Sequence, residues 1–341
     1  MATNKVVFGN HQTMWGFIEQ AAWDTYEGDT GVYEVFDGPI PTGIDYGIFK
    51  DQNIRSGRGR IASSTDTYHS PLGGTRVIPF SDVIVRKTMV SDLLYASLQN
   101  VAEGASTPWE KTYTINHATT QPNFNGSAGY FASLGIKDVI ASYHRSFTNC
   151  ILRTLTLSAD MTGGDGRLKA AGEWISGYNA TTTSNFNTGA WSQGEKVFFN
   201  FNAPTKYSVG SDAVIYAFDL TINNNAVRVG HGTTGEAETY ALGPYEISGN
   251  VSVKYDVNMQ GVIAAAIAGT ATSIQIACGT DGADGNLDFL MATCQLQDVA
   301  KDFGSPEGQR INIPFIALGV SGDGTPALVV TNSDDTADRE W

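Results

Sequence analysis

Long runs of alternating apolar and polar residues, cut at short intervals by turns rich in glycine and asparagine, constrain this chain more than any other feature. A side-chain period of two is that of a β-strand with one buried and one wet face. Val214, Tyr216, Phe218, Leu220 and Ile222 alternate through AVIYAFDLTI. Val251, Val253, Tyr255, Val257 and Met259 alternate through VSVKYDVNM, and Ile311, Ile313 and Phe315 through RINIPFI. In the first half Ile151, Leu155 and Leu157 share a face opposite Thr154, Thr156 and Ser158. GGDGR, NNN, TDGADGN and SGDGTP supply turns between the runs. The pattern predicts a mainly β chain.

Helical signals are few. In SDLLYASLQNVAEG, Ser91 suits an N-cap, Asp92 the positive end of the helix dipole and Gly104 the stop, with Leu94, Leu98 and Val101 on one face. QGVIAAAIAG is the second, with Val262, Ile263 and Ile267 apolar. Each follows a strand.

These two segments expose an internal repeat. A shift of 169 residues sends Leu93, Leu94, Ala96 and Leu98 to Val262, Ile263, Ala265 and Ile267, and Ile78 and Ile84 to Ile247 and Val253. GIFKDQNIRSGRGRIASS upstream of the first unit resembles FDLTINNNAVRVGHGTT upstream of the second. Further on, FTNCILRTLTL matches MATCQLQDVAK, Cys150 on Cys294, and GDGRLKAAGEWI matches EGQRINIPFIAL at a shift of about 143. The first half therefore holds about 25 extra residues, including NHATTQPNFNGSAGY, which reads as a long loop. A unit of this length is too irregular for a solenoid. The organisation read from this is an N-terminal arm or first-domain lining (1–48), a first β-module (49–176), a neutral linker (177–195), a second β-module (196–331) and an acidic tail (332–341).

Charge narrows the function. Only 16% of residues are charged and the net charge is −14. Of that, −2 falls on residues 1–170 (14 basic, 16 acidic) and −12 on residues 171–341 (7 basic, 19 acidic). Binding to a nucleic-acid backbone needs clustered Lys and Arg, so the charge balance argues against such affinity. Sparse charge with 11% aromatics fits a surface much of which touches other subunits. A neutral extracellular lectin or adhesin fits the same composition. The start MATNKVVFGNHQT lacks the apolar core of a signal peptide, and Gly261 to Cys278 is too short and too broken to span a membrane.

Candidate chemical sites are weak. Cys150, Cys278 and Cys294 are odd in number and widely spaced, which predicts buried reduced thiols. His11, His69, His117, His144 and His231 show no zinc spacing, and His144 with Cys150 makes no catalytic signature. Arg55, Arg58 and Arg60 lie in a glycine stretch without phosphate-loop order. Asp281, Asp284 and Asp288 invite a calcium ion but miss the EF-hand spacing, so a polar turn is the expectation. The acceptor sequences at Asn125, Asn179 and Asn250 carry meaning only in a secreted protein. No catalytic, cofactor or metal residue is predicted, and the chain is expected not to be an enzyme.

GGTRVIPFSDVIVRKTMVSDLLYASLQ, KTYTI and YHRSFTNCILRTLTLSADMTGGDGRLKAAGEWISGY together resemble the major tail tube proteins of tailed double-stranded DNA phages. YEISGNVSVKYDVNMQGVIAAAIAG through INIPFIALG looks like the same module again, and TYEGDTGVYEVFDGPIPTGIDYGI is similar to that family's N-terminal region. The resemblance implies two tandem β-sandwich or half-barrel modules, each with a short helix. It further implies a virion protein, assembled in the host bacterial cytoplasm, whose rings of six modules stack into a hollow tube. Two modules per chain then give homotrimeric, pseudo-hexameric rings, and a true hexamer if the repeat is illusory. Partners would be copies of itself, other tail proteins and double-stranded DNA in passage, with no membrane. Another virion protein (tube tip, terminator or decoration) and a carbohydrate-binding adhesin are the rival readings. The segment 104–132, the N-terminal arm and the acidic tail are the expected inter-ring contacts.

Overall fold

The structure is a computed structural model of the 341-residue chain. It describes residues 13–20, 33–36, 38–39, 49–51, 68–70, 77–104, 109–115, 124, 129–138, 144–163, 165–176, 178–182, 191–192, 198–201, 204–230, 238–279, 285–302, 309–319 and 326–334. The described elements begin with strands β1 (Thr13–Glu19), β2 (Tyr33–Val35), β3 (Phe49–Asp51), β4 (Tyr68–Ser70) and β5 (Val77–Ile84). Helix α1 (Lys87–Leu98) follows, then β6 (Val101–Glu103), β7 (Trp109–Thr114), β8 (Ala132–Asp138), β9 (His144–Asp160) and β10 (Lys169–Ile175). Next come β11 (Tyr178–Thr182), β12 (Trp191–Ser192), β13 (Pro204–Val209), β14 (Ser211–Asp212), β15 (Ile215–Asn223), β16 (Val227–Val229), β17 (Thr239–Ala241) and β18 (Glu246–Lys254). After helix α2 (Val257–Ala268) the chain ends with β19 (Thr272–Cys278), β20 (Asn286–Leu296), β21 (Ala300–Asp302), β22 (Arg310–Ala317) and β23 (Val329–Asp334). The fold is mainly β, as the periodicity predicts.

The backbone of the molecule is one sheet read β5–β10–β9–β15–β18–β22–β20–β19–β13, all of it antiparallel. The pairings made in the first half have counterparts in the second. β8·β9, β9·β10, β9·β11 and β5·β10 correspond to β19·β20, β20·β22, β20·β23 and β18·β22. β1·β8 corresponds to β13·β19 in the same way. Among the described residues two ladders join the halves: β9 with β15, and β7 with β23. One apolar core runs under both, with Leu155, Leu157, Leu220, Ile222, Val251 and Ile313 among its members.

Where the strands carry bulges, simple alternation misplaces side chains. The β9·β10 ladder skips a residue, so that Thr154 faces Glu173 while Leu152 faces Trp174. One extra residue inverts the parity of everything beyond it. Leu152 therefore joins Leu155 and Leu157 in the main core, and Ile151 falls into a second cluster with Phe124, Phe131, Ile175 and Tyr240. A shift between Ile215 and Ala217 does the same at the start of β15. Phe218, Leu220 and Ile222 are buried as expected, but Ile215 replaces Tyr216 in the core and Val214 is exposed. In β5 the shift sits at Asp82, whose φ is 51°, and it buries Val83 where Ile84 was expected to correspond to Val253.

Both helices start earlier than their sequence signals. α1 begins at Lys87, with extended Arg86 at the N-cap position, so Ser91 and Asp92 are internal and buried. The reason is tertiary. Val85 N–H still donates to Leu168 at 2.9 Å, and Met89 and Val90 are drawn fully into the core. α1 ends at Leu98 because Gln99 turns left-handed (φ 60°) and its amide bonds Ala96 and Tyr130; Val101 and Gly104 lie beyond the helix, Val101 in β6. α2 begins at Val257, where the alternation predicted strand. Asp256 caps it, accepting from the N–H groups of Asn258 (3.0 Å) and Met259 (3.3 Å).

Each half sets a glycine beneath a phenylalanine in the sheet. Gly172 faces Phe80, and Gly249 faces Phe315. A Cβ at Gly172 would overlap the Thr154 carbonyl and meet the Phe80 ring at 2.9 Å. A Cβ at Gly249 would overlap the Asp219 carbonyl and meet the Phe315 ring at 2.7 Å. The glycine makes room for the ring, and the two halves place that pair on opposite strands.

Segments expected to be connectors carry strands. β11, inside 177–195, pairs with β9, and β12 pairs in parallel with β2. Within the extra residues of the first half, β7 pairs with β23 and buries Tyr113 and Lys111, while Phe124 and Tyr130 are fully buried. Most of NHATTQPNFNGSAGY lies outside the described residues. β1 is a sheet strand that buries Trp15 and Phe17, and β23 continues through Asn332 and Ser333, both buried.

Candidate functional surfaces

The outward face of the sheet at the β9·β15 seam is built from short polar side chains. Core-directed Leu157 and Leu220 face each other, so their neighbours Thr156 and Thr221 point outward, with hydroxyls 2.9 Å apart. Ser158 faces Asp219, and Asp219 faces Asn250 on the next strand. The charges that join this face come with both signs. Arg153 Nη1 lies 3.4 Å from Glu173 Oε1, and the Arg310 guanidinium sits over the Tyr216 ring at 4.4 Å. A cleft at one end is lined by Asp82, Asp160, Asp219, Arg167 and Lys169. Asp160 is held below the ordinary carboxylate range, first by the Gly163 N–H and also by the Thr162 N–H and hydroxyl. Asp219 is pushed up by burial, which costs its charged form solvation.

A second surface lies where the sheet runs out. β18 is flanked by β15 and β22, but its counterpart β5 is flanked by β10 alone among the described residues. At the other end, an open groove separates α2 from the last residues of β20. Ile263, Ala266 and Ile267 line one wall, and Gln295, Leu296 and Gln297 the other. Ile267 is 83% exposed, although its counterpart Leu98 in α1 is 0% exposed.

The residues singled out in the sequence divide as follows. Cys150, Cys278 and Cys294 are free and buried, as expected, and burial pushes each thiol up to about 12. Asp288 is in β20 and one oxygen accepts from Gln275 Nε2 at 2.6 Å, while Asp281 and Asp284 lie outside the described residues. Asn250 is a half-buried strand residue on the polar face. Asn125, His11, His117, His231, Arg55, Arg58 and Arg60 lie outside the described residues. His69, His144 and Asn179 lie in β4, β9 and β11. Among the described residues no group of three or more His, Cys, Asp or Glu gathers as metal ligands, and no helix is long and apolar enough to cross a membrane. The sequence reading missed Asn224, which is fully buried and cross-links the two halves; its only signal was NNN, which looks like an ordinary turn.

A sheet with a polar, charge-compensated face and, among the described residues, a strand position left open beside it defines a structural, sheet-building class of protein. The family model of the phage tail tube protein matches residues 19–317, and the chain belongs to that family. No curated protein matches it. The chain is thus a structural subunit of a phage tail tube, with self-assembly, other tail proteins and the virion tail as its setting.

Proposed function

We propose that this chain is a fusion of two tube modules, residues 49–176 and 196–331, and that three copies close a pseudo-hexameric ring. The observation that carries the proposal is the matched set of ladders on either side of the β9·β15 seam. In this reading the seam is one of six module junctions in a ring, and it is the one that a single chain makes with itself. Three further junctions between chains and two more within chains complete the ring. Joining sheet edges also removes the unpaired strand edges that otherwise aggregate. The rings stack into a hollow tube, assembled in the host cytoplasm, that works without catalysis.

The polar face around Thr156, Thr221, Ser158 and Asn250 lines the bore. Double-stranded DNA carries one negative charge per about 1.7 Å of axis. A lining of hydroxyls and amides, with arginines neutralised by partners such as Glu173, offers that rod no deep electrostatic well. DNA then slides past without being held. A lining dominated by unpaired Lys and Arg would bind phosphates and stall transit.

Helical reconstruction of polymer formed by the purified protein tests both parts. The expected result is three chains per ring, six similar modules around the axis and the β9–β15 face inward. Six chains per ring, or a bore lined mainly by Lys and Arg, refutes the proposal.

A further inference from the structure

The two halves differ most at one place, and the difference identifies a docking site. In the first half, the space between the C-terminal end of α1 and the middle of β9 is filled from the second half. Asn224 donates through its backbone N–H to the Arg153 carbonyl at 3.1 Å, and through Nδ2 to Leu152 at 2.8 Å and Ser97 at 3.3 Å. Tyr245 donates its hydroxyl to the Leu98 carbonyl at 3.2 Å. Leu94, Ser97, Leu98 and Leu152 are almost completely buried there.

The repeat offsets place a counterpart of each of these residues in the second half. Shifting α1 by 169 sends Leu94, Ser97 and Leu98 to Ile263, Ala266 and Ile267. Shifting β9 by 144, Cys150 onto Cys294, sends Leu152 and Arg153 to Leu296 and Gln297. These five residues line the open groove beside α2. The filled and open sites are therefore the same site in the two halves, occupied in the first and, among the described residues, open in the second. No ladder among the described residues runs along the side of β20 that corresponds to the β15 side of β9, beyond the Thr272–Cys294 pair.

We propose that this groove receives a second copy of the chain, which enters it from its first half as Ile222–Asn224 enters the filled site. The proposal rests on the tube reading above and names the contact by which one chain joins the next. What favours a second copy over any other occupant is that the same chain already supplies a fitting ligand internally, by way of β15. The other end of the molecule lacks a β15 counterpart beside β5 among the described residues. The 169-residue shift sends Ile215–Asn223 to residues 46–54, a stretch that contains β3. Brought between the β5 edge of its own chain and the α2 groove of the preceding chain, β3 would repeat the β9–β15–β18 arrangement between molecules.

The test uses the full chain. Ile267→Asp alters a side chain that is 83% exposed, so the monomer should melt as wild type does. Sedimentable polymer should fall by at least tenfold, because a carboxylate would enter an apolar contact. In parallel, Ile267→Cys is labelled with a photoactivatable maleimide. The three native thiols are buried and poorly ionised, so the label stays at position 267. Irradiated polymer should yield a cross-link to residues 46–76 of another copy. Ile267→Asp polymerising as wild type does, or cross-links confined to one chain or to the second half of its neighbour, overturns the groove proposal. Failure of the wild-type chain to polymerise at all instead overturns the tube reading, and the groove proposal with it.

Discussion

Asn224 offers a direct measure of how strongly the two halves are joined. Replacing it with alanine leaves its backbone bond to Arg153 in place. It removes the Nδ2 donor from Leu152 (2.8 Å) and Ser97 (3.3 Å), and the Oδ1 acceptor from the Ala226 N–H (3.1 Å). Leu152, Ser97 and Ala226 are all at most 1% exposed, so water replaces these bonds poorly. A buried group left without its partner costs about 1–3 kcal/mol. The Ala226 amide bears that cost in full, and the carbonyls, which have two lone pairs, bear less. The sum is about 2–4 kcal/mol, a large share of the roughly 5–15 kcal/mol that holds a folded protein. Urea unfolding followed by tryptophan fluorescence should show a lower midpoint at unchanged slope. Asn224→Asp should be worse than Asn224→Ala at pH 7, because a carboxylate then faces two carbonyl oxygens. Lowering the pH should narrow the gap, since burial raises that acid and its protonated form regains one donor. An alanine variant within about 0.5 kcal/mol of wild type would show that Asn224 is not a structural link between the halves.

Two other outcomes follow from the core. Gly249→Ala and Gly172→Ala should each lower the melting temperature, by overpacking worth about 1–3 kcal/mol or more, because the new methyl meets a backbone carbonyl as well as a phenylalanine ring; an unchanged melt would mean that the strands separate freely there. The buried thiols predict alkaline sensitivity. Their ordinary value is 9.0 and the folded chain raises it to about 12, so the unfolded chain loses these protons first. Stability from this source is present below pH 9 and is lost as pH rises from 9 toward 12, and the triple Cys→Ser variant should lack that part of the decline.

The mainly β character and the burial of the cysteines were legible in the chain because each depends on local pattern or composition. A period of two reports burial of one face wherever the ladder is regular. It was correct for Ile311, Ile313 and Phe315, whose strand runs unbroken between its neighbours. It was wrong for Ile151 and Tyr216, because a bulge inverts parity and nothing in either run announces one. Ser91 looked like a cap and is an interior residue, since helix α1 is positioned by the core that Met89 and Val90 enter and not by its own terminus.

Which surfaces are open was a matter for tertiary structure alone. LLYASL and VIAAAI look alike as segments, yet one is sealed and the other exposed. Asn224 and Tyr245, more than a hundred residues away from α1 in the chain, help to seal the first, as do Tyr130 against Tyr95 and Asn332 on Ser91. Periodicity specifies which face of an element is apolar; what comes to cover that face is decided by contacts between distant segments, and those form only when the sheet does.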